Sequence, residues 1–485
     1  MTTSPLLISL DRRSRTPVYR QVYELFRRHI LRGELRAGEP VPSSRDLART
    51  LGISRLPVLN AYAQLLAEGY FETRRGDGTY VAPSLSRPAR LRPRGERRIA
   101  GHAAALPPYQ RPVWAETLGP FQIGQPDLHS FPIEIWSRLA ARDARRTRVK
   151  ALQYGDPQGF APLRELIAQY VRLSRGVRCE PSQVLVTSGS QQGLDIATRV
   201  LLDPGVEAWV EDPGYWLVRH ALQAHRCTAV PVPVDGEGLD VAAGVRLARK
   251  ARAAFVAPSH QYPLGVTMSA ARRLQLLAWA QREGAWIVED DYDSEYRYDS
   301  RPITALHGLD DHARVVYVGT FSKVMFPSLR LGYLIVPPDL VERFLAVRQA
   351  MDLCPSHAMQ STMAEFMREG HFARHIRRMR VLYASRRAAL VAFVERELSG
   401  RVTLMGDPAG MHIALLAPAC NDAAIAVRAL REGLLLSPLS ASCSGPSPLR
   451  GFVLGFGNTS EARMEAAVKR LGKLVDEGSG VSGSR

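Results

Sequence analysis

The stretch that decides the fold is VVYVGTFSK at residues 315–323, where a short apolar run ends in two hydroxyl residues and a lysine. It contains the last of five apolar runs that have the length of buried strands, and amphipathic helical patterns lie between these runs. The runs cover residues 183–187, 207–211, 253–257, 286–289 and 315–319, and the helical patterns include 163–173, 191–202 and 271–282. This alternation predicts an α/β domain with a mostly parallel sheet.

Candidate binding residues follow these strands, at the edge where ligands bind in open α/β sheets. Ser190 and Gln191 lie in a Gly-containing turn that opens a helix, and the free N–H groups of such a turn can bind phosphate. Tyr215 follows the second strand and either stacks on a planar ligand or closes a turn. The carboxylates at 289–295 require a cation, either a metal ion or a protonated ring nitrogen. A metal is the minor interpretation, because no His-rich motif accompanies them.

Lys323 is unusual because lysine is rare in this chain. The sequence has 64 basic residues, and only five are lysines. Arginine is used on the surface, so a lysine kept at a strand end indicates Schiff-base chemistry, which needs an amine that can lose its proton. A phosphate turn, an aromatic ring, a carboxylate and this lysine are the groups that pyridoxal 5'-phosphate (PLP) requires. We therefore predict PLP as the cofactor.

The N-terminal segment is strongly basic. The formal net charge is +17, and residues 1–111 hold 20 arginines against 9 acidic residues, a net +11. An apolar stripe over residues 18–30, two short helical patterns joined at Gly52 and a basic hairpin around 74–78 predict a winged helix-turn-helix. The charge suggests nucleic-acid binding, although charge alone is more often explained by a solvated basic face.

The composition predicts four segments and excludes several classes of protein. We expect a winged helix-turn-helix at 14–82, an Arg/Pro-rich linker at 83–116, an α/β domain with a smaller C-terminal subdomain at 117–476 and a flexible tail at 477–485. No apolar stretch approaches the roughly 18 residues of a membrane helix, and no secretory signal opens the chain. Five widely spaced cysteines fit a reducing cytoplasm.

In these motifs the chain resembles the MocR/GabR-type regulators, which join a GntR-type winged helix to a fold-type I aminotransferase-like domain. In the N-terminal segment the resemblance rests on PSSRDLA at 42–48 and GISR at 52–55. In the large domain it rests on YGDPQG at 154–159, SGSQQ at 188–192, EDPGY at 211–215, EDDY at 289–292 and GTFSK at 319–323. The motifs occur in the order that is usual for the family.

The resemblance implies a role for each candidate residue. Lys323 forms the Schiff base, Asp290 pairs with the pyridinium nitrogen, Tyr292 binds the ring hydroxyl and Tyr215 stacks on the ring. The implied phosphate contacts are Ser190, Gln191, Ser322 and Arg330, with Thr320 nearby. Arg450 is the candidate for the carboxylate of an effector, although a surface arginine fits its position equally well.

The implied DNA contacts lie in the two short helices and the hairpin: Ser43, Ser44, Arg45, Ser54, Arg55, Asn60, Arg74, Arg75, Gly76 and Gly78. The sequence departs from the family pattern at two places. Leu56 and Pro57 replace a more polar pair at the start of the recognition helix. Tyr262 stands where aminotransferases carry the asparagine of Asn-Pro-x-Gly, which disfavours efficient transamination more than cofactor binding.

The resemblance implies a cytoplasmic, homodimeric transcriptional regulator that binds double-stranded promoter DNA. Its large domain is then expected to sense PLP or an amino compound by aldimine exchange at Lys323. The alternative is an active PLP-dependent aminotransferase with an accessory DNA-binding domain, and the winged helix and Tyr262 favour the regulator. A large domain that has lost its cofactor is disfavoured by the intact Lys323 and Asp290. We expect neither a metal nor a membrane partner.

Overall fold

The computed structural model describes residues 10–85, 99–109, 118–299, 303–446 and 448–478. The chain forms two compact units, Met1–Ile99 and Ala100–Arg485. The linker predicted at 83–116 lies largely outside the described residues, and so does nearly all of the tail predicted at 477–485.

The first unit is a three-helix domain with a β-hairpin. Its elements are α1 (Val18–Arg32), α2 (Ser44–Leu51), α3 (Arg55–Ala67), β1 (Phe71–Arg74) and β2 (Gly78–Val81). The Ser43 side chain caps α2, and Gly52 ends α2 in the left-handed conformation with φ +61°. Phe26, Tyr62 and Phe71 fill the core with edge-to-face contacts between the helices and the hairpin. The predicted winged helix-turn-helix is confirmed.

The second unit alternates helices and strands before it ends in a smaller sheet. Its first part comprises α4 (Gly101–Ala104), α5 (Ile133–Arg146), α6 (Ala161–Arg175), β3 (Val184–Thr187), α7 (Ser190–Leu201), β4 (Glu207–Asp212), α8 (Trp216–Ala224), β5 (Thr228–Asp235), β6 (Gly238–Leu239), α9 (Val241–Ala248), β7 (Ala253–Val256), α10 (Ala270–Glu283), β8 (Trp286–Asp291), α11 (Leu306–Leu309), β9 (Val315–Thr320) and β10 (Gly332–Ile335). Its second part comprises α12 (Val341–Asp352), α13 (His357–Arg368), α14 (His371–Leu398), β11 (Thr403–Met405), β12 (His412–Leu416), α15 (Asp422–Arg431), β13 (Ser437–Pro438), β14 (Gly451–Gly455) and α16 (Glu461–Gly478).

The large sheet has eight strands in the order β3-β10-β9-β8-β7-β4-β5-β6. The pairs from β9 through β8, β7 and β4 to β5 are all parallel. All residues of β3, β7, β9 and β10 are buried, as expected for strands covered on both faces. The prediction of a mostly parallel α/β sheet is therefore confirmed. The sheet also contains the antiparallel strand β10 between β3 and β9, which the sequence did not predict.

Strand β3 lies at an edge of this sheet, and the outward backbone groups of its residue Val186 are occupied. The N–H of Val186 donates to the carbonyl oxygen of Gln158 at 2.9 Å. The carbonyl oxygen of Val186 accepts a hydrogen bond from Arg348 Nη1 at 3.1 Å. Arg348 is only 1% exposed, so this contact is shielded from water.

The C-terminal part forms a four-stranded antiparallel sheet in the order β11-β12-β14-β13. The long helix α14 carries Arg386, which donates to Asp127 Oδ2 at 2.7 Å and so ties the C-terminal elements to the segment before α5. The predicted smaller C-terminal subdomain corresponds to this sheet and its helices. Within the described part of the chain, no helix has the length and apolar character needed to span a membrane.

Candidate functional site

A cavity of about 480 Å³ lies at the carboxyl ends of β4, β7, β8 and β9. The structure brings all nine predicted cofactor residues to its wall, although they come from five separate parts of the sequence. These residues are Ser190, Gln191, Tyr215, Asp290, Tyr292, Thr320, Ser322, Lys323 and Arg330. They meet because parallel strands end at a common edge of the sheet.

Three consecutive carboxylates at the end of β8 have three different environments. Glu289 is fully buried and accepts two backbone N–H groups at the start of α11, each at 2.8 Å. Asp291 accepts hydrogen bonds from Arg175 Nε at 2.7 Å and from the Tyr317 hydroxyl at 2.5 Å. Asp290 lines the cavity, and its buried Oδ1 has no hydrogen-bond partner in the structure. Only one of the three carboxylates therefore remains to receive a ligand.

The environment of Asp290 fits a cationic N–H donor. Burial, together with the negative charge of Asp291, raises the pKa of Asp290 to about 7. A protonated ring nitrogen placed against Oδ1 would supply the missing hydrogen bond and favour the ionised carboxylate. The pyridinium of PLP has this chemistry, so the orphaned oxygen is compatible with the predicted cofactor.

Lys323 projects into the same cavity from the turn that follows β9. Its Nζ donates a hydrogen bond to the carbonyl oxygen of Gly124 at 3.1 Å. Burial lowers the pKa of Lys323, and the positive charge of Arg330 acts in the same direction. The neutral amine, which is the nucleophilic form, is thereby favoured.

Gly124 leaves the space that the lysine occupies. Its φ is +65°, and a Cβ atom built there would lie 2.2 Å from Lys323 Nζ. Both the backbone conformation and the close approach therefore require glycine at this position.

A corner of the cavity has the features of an anion site. The first N–H groups of α7, beginning at Ser190, have no intrahelical acceptors and lie at the positive end of the helix dipole. Arg330 approaches the preceding residue, Gly189, so closely that a Cβ on Gly189 would lie 3.1 Å from Arg330 Nη2. Ser322 and Thr320 also border the cavity, and the Ser322 N–H donates to Thr320 Oγ1 at 3.2 Å. The positive charge of Arg330, the start of α7 and the two hydroxyl groups together form a suitable binding site for a phosphate.

Three tyrosines form the aromatic part of the wall. The rings of Tyr215 and Tyr262 are nearly perpendicular, with centroids 6.2 Å apart. Burial raises the pKa of Tyr292 well above its usual value, so its hydroxyl group keeps its proton and can donate a hydrogen bond. Tyr262, the residue that departs from the aminotransferase pattern, lines the cavity as well.

A buried hydrogen-bond network behind Tyr292 was not predicted from the sequence. His260 Nδ1 lies 3.0 Å from Asp293 Oδ1 and 3.2 Å from the Tyr292 hydroxyl oxygen. A proton on Nδ1 satisfies the Asp293 carboxylate and leaves the Tyr292 proton available to a ligand. Gly410 permits this arrangement, because a Cβ there would lie 1.9 Å from His260 Cε1.

His412 brings a third possible metal ligand close to this network. One ligand atom each from His260, Asp293 and His412 lies within 4.8 Å of the others. Asp293 also accepts the N–H of Met411, at 3.1 Å, and His412 Nε2 donates to the carbonyl oxygen of Pro263 at 3.2 Å. These protein partners lead us to interpret the cluster as a hydrogen-bond network that supports Tyr292.

Other residues differ in position from the sequence-based expectation. Arg450 is not among the residues that line the cavity, and its Nη1 donates to the carbonyl oxygen of Leu449 at 3.1 Å. Its role toward an effector stays a prediction. The segment 122–125 and Glu211 line the cavity but were not predicted. Residues 122–125 lie in neither a helix nor a strand, so periodicity carries no signal for them.

The candidate DNA-binding residues lie on α2, on α3 and in the hairpin turn of the first unit. Arg55 Nε donates to Ser44 Oγ at 3.1 Å, which links the start of α3 to α2. Ser54 is the N-cap residue of α3, and Arg74 lies over the Tyr80 ring with 4.2 Å to the centroid. The exposed candidates are Ser43, Arg45, Ser54, Arg55, Asn60, Arg74, Arg75, Gly76 and Gly78.

Comparison with known families divides the chain in the same way. Residues 18–81 match the family described as "Bacterial regulatory proteins, gntR family". Residues 121–471 match "Aminotransferase class I and II". The first match covers the winged helix-turn-helix, and the second covers the cavity and both sheets of the second unit.

Relatives named as regulators match almost the whole chain. The "probable rhizopine catabolism regulatory protein MocR" of Rhizobium meliloti is 39% identical over 472 residues, which cover 96% of this chain and 95% of the relative. The "HTH-type pyridoxine biosynthesis transcriptional regulator PdxR" of Corynebacterium glutamicum is 34% identical over 475 residues, 98% and 99% of the two chains.

A solved enzyme structure matches the second unit. The kynurenine aminotransferase of Pyrococcus horikoshii superposes with a TM-score of 0.71 at 28% identity, covering 79% of this chain and 98% of the enzyme. This likeness confirms the fold-type I architecture, whereas the full-length relatives favour a regulator over an enzyme. The chain belongs to the MocR/GabR-type transcriptional regulators, in which a GntR-family helix-turn-helix domain is joined to an aminotransferase class I and II domain.

Proposed function

We propose that this protein binds double-stranded promoter DNA through its first unit and PLP through Lys323 in the cavity of its second unit. The observation that carries the cofactor assignment is the pair formed by the unpartnered Asp290 carboxylate and the buried Lys323 amine in one cavity. The basic winged helix-turn-helix supports the DNA assignment.

Different cavity residues would contact different parts of the cofactor. PLP, when bound, supplies an aldehyde that condenses with primary amines. Lys323 offers a neutral amine to it, and Asp290 accepts the ring N–H. Tyr292 donates its proton to the ring hydroxyl, while Arg330 and the start of α7 bind the phosphate. Tyr215 covers the ring.

The proposed effector is PLP itself or a primary amine that competes with Lys323 for the same carbonyl group. The protein with an occupied cavity and the protein with an empty cavity are expected to bind DNA with different affinities. Binding of the effector would then change DNA affinity. One relative, PdxR of Corynebacterium glutamicum, is named as a regulator of pyridoxine biosynthesis. Arg450 is the proposed contact for the carboxylate of an amino-acid effector.

We further propose a cytoplasmic homodimer. Val149, Leu152 and Tyr154 lie close together in the sequence and are 77%, 76% and 86% exposed, and a partner subunit would cover such an apolar group. The five cysteines are all free, in keeping with a reducing compartment.

Amino transfer is the second candidate function, and the likeness to the kynurenine aminotransferase favours it. Purified protein loaded with PLP should be incubated with a panel of amino acids and a keto acid. We expect no sustained turnover. Repeated turnovers per subunit would instead establish an enzyme that carries a DNA-binding domain.

The DNA assignment is tested by Arg45→Ala and Arg55→Ala in the full chain. Neutralising a phosphate contact should reduce the slope of log affinity against log salt by about 1, and losing a base contact should weaken specific binding by about 1–3 kcal/mol. The measurement is a DNA titration at several salt concentrations. Arg246→Ala, an exposed arginine on α9 of the second unit, is the control. Unchanged binding by both variants would contradict the proposed surface.

Asp290→Asn should have opposite effects on the cofactor-free and cofactor-bound protein. Burial raises the Asp290 pKa from 3.8 to about 7, so between about pH 4 and pH 7 the folded chain retains a proton that the unfolded chain has lost. The contribution of Asp290 to stability is therefore present at pH 4 and is lost as the pH rises to about 7. Asparagine does not ionise, so the cofactor-free variant should melt above the wild type at pH 8.

The same substitution should weaken PLP binding by about tenfold or more, because it removes a charge-assisted hydrogen bond. Thermal unfolding at pH 5 and pH 8, with and without PLP, measures both effects. The buried Glu211 is present in both proteins, and its pKa is raised to about 8 by burial and by the charge of Asp290. Removing that charge lowers the Glu211 pKa in the variant, which adds to the expected stabilisation at pH 8. If the cofactor-free variant and the wild type differ in melting temperature by the same amount at pH 5 and pH 8, the raised pKa assigned to Asp290 is contradicted.

A further inference from the structure

We propose that Leu56 and Leu59 of α3 recognise the 5-methyl groups of thymines in the DNA major groove. The inference rests on the proposed DNA-binding function and specifies which base feature the recognition helix detects. Both leucines are exposed on the outer face of a helix whose inner face is packed in the core.

The two faces of α3 are sharply different. Val58, Ala61 and Leu65 are completely buried in the core of the first unit. Leu56 and Leu59 are 65% and 41% exposed, and they lie three residues apart, which places them side by side on the helix surface. The first two turns of α3 therefore present an apolar pair to the outside.

Polar side chains frame this pair without interrupting it. Arg55 precedes it and Asn60 follows it, and both are exposed. Between them lie Leu56, Pro57, Val58 and Leu59, none of which has a hydrogen-bonding side chain. Any base edge opposite this segment must be recognised through apolar contact or not at all.

The charge around the pair favours DNA as the occupant. α3 contains no acidic residue, and α2 presents the exposed Arg45 and Arg49. The one acidic residue of α2, Asp46, accepts a hydrogen bond from Ser43 Oγ at 2.6 Å and lies 3.6 Å from Arg49. A polyanion is the complementary partner.

The major groove offers one apolar group at the base edges, the C5-methyl of thymine. The recognition helix of a helix-turn-helix places its N-terminal residues against those edges. Leu56 and Leu59 occupy that part of α3, so a binding site for this protein should contain thymines opposite them. Each buried methyl should strengthen binding by about fourfold.

The test begins with duplexes selected from a random library by the full-length protein. Each thymine of the selected site is then replaced in turn by deoxyuridine, which keeps the base pair and removes only the methyl group. Wild-type protein should lose affinity by about fourfold at one or more positions. Each alanine variant, Leu56→Ala or Leu59→Ala, should lose this sensitivity at the thymine that its leucine contacts. It should bind the duplex with thymine there and the duplex with deoxyuridine there equally tightly.

Two further variants make the result specific. Leu56→Met keeps an apolar side chain and should retain the sensitivity to deoxyuridine. Arg55→Ala should weaken binding but leave the thymine-to-deoxyuridine ratio unchanged. Because both leucines are exposed, the alanine variants should melt at the wild-type temperature.

The possible failures are distinguishable. If the wild type binds DNA and Arg55→Ala weakens that binding, but deoxyuridine has no effect anywhere, methyl recognition is wrong and the DNA-binding function stands. If the alanine variants weaken binding to thymine and deoxyuridine duplexes alike, the leucines act otherwise than through the methyl groups. If the wild type binds no duplex, the proposed function fails together with this inference.

Discussion

Lys323→Ala is expected to abolish covalent attachment of PLP completely. Lys323 Nζ borders the cavity beside the Asp290 carboxylate, and its pKa is lowered by burial, so it is the amine that the cofactor should meet. Incubation with PLP, reduction with borohydride and intact mass measurement should show one adduct per wild-type chain and none in the variant. Peptide mapping should locate the adduct at Lys323.

Lys250→Ala is the matched control, because Lys250 is an exposed lysine outside the cavity. It should carry the same adduct as the wild type. Lys323→Ala should also still bind DNA with the wild-type salt dependence, since the substitution lies outside the first unit. An adduct that persists in Lys323→Ala, or maps to another lysine in the wild type, would contradict the cofactor assignment.

Gly124→Ala is expected to weaken cofactor binding, although the side chain it adds is one methyl group. The new Cβ would lie 2.2 Å from Lys323 Nζ and 3.1 Å from its Cε, so the lysine would have to leave its position. Overpacking of this kind costs about 1–3 kcal/mol, and we expect PLP affinity to fall by about tenfold. Titration with PLP, followed by absorbance, measures the change.

Gly284→Ala separates the steric effect from backbone strain. Gly284 has φ +63°, almost the same as the +65° of Gly124, but a Cβ there meets no atom within 4 Å. Both variants should therefore lose about 1–2 kcal/mol of stability through the left-handed conformation. Only Gly124→Ala should lose cofactor affinity. Equal PLP affinities in the two variants would show that Gly124 is required for its conformation alone.

The strands and most of the cavity were predictable because their signals are local. A strand buried on both faces is an apolar run, so the predicted strands at 253–257 and 315–319 agree with β7 and β9 to within one residue. Motifs after parallel strands share an edge of the sheet, which explains why nine residues chosen from sequence reached one cavity. No local pattern indicated the antiparallel insertion of β10, since strand order depends on pairing between distant segments.

The contacts that position the side chains of the site could not be predicted from the sequence, because they join residues that are far apart in the chain. Asp291 depends on Arg175, which is 116 positions away, and Lys323 contacts Gly124 across 199 positions. The sequence motif at 289–292 showed excess carboxylate but not which member lacked a partner. The family resemblance identified Asp290, and the fold supplies the physical reason, because Arg175 binds Asp291 and the start of α11 binds Glu289.

The occupied backbone groups of Val186, at the edge strand β3, have a consequence for the behaviour of the protein at high concentration. A free strand edge is a template for pairing with another chain and so for aggregation. Here the YGDPQG segment, through Gln158, and the buried Arg348 take the outward N–H and C=O groups of Val186. A second molecule therefore finds no free backbone groups at Val186 and cannot extend the sheet there. The same segment that marks the family in sequence thus also blocks strand pairing with a second molecule at Val186.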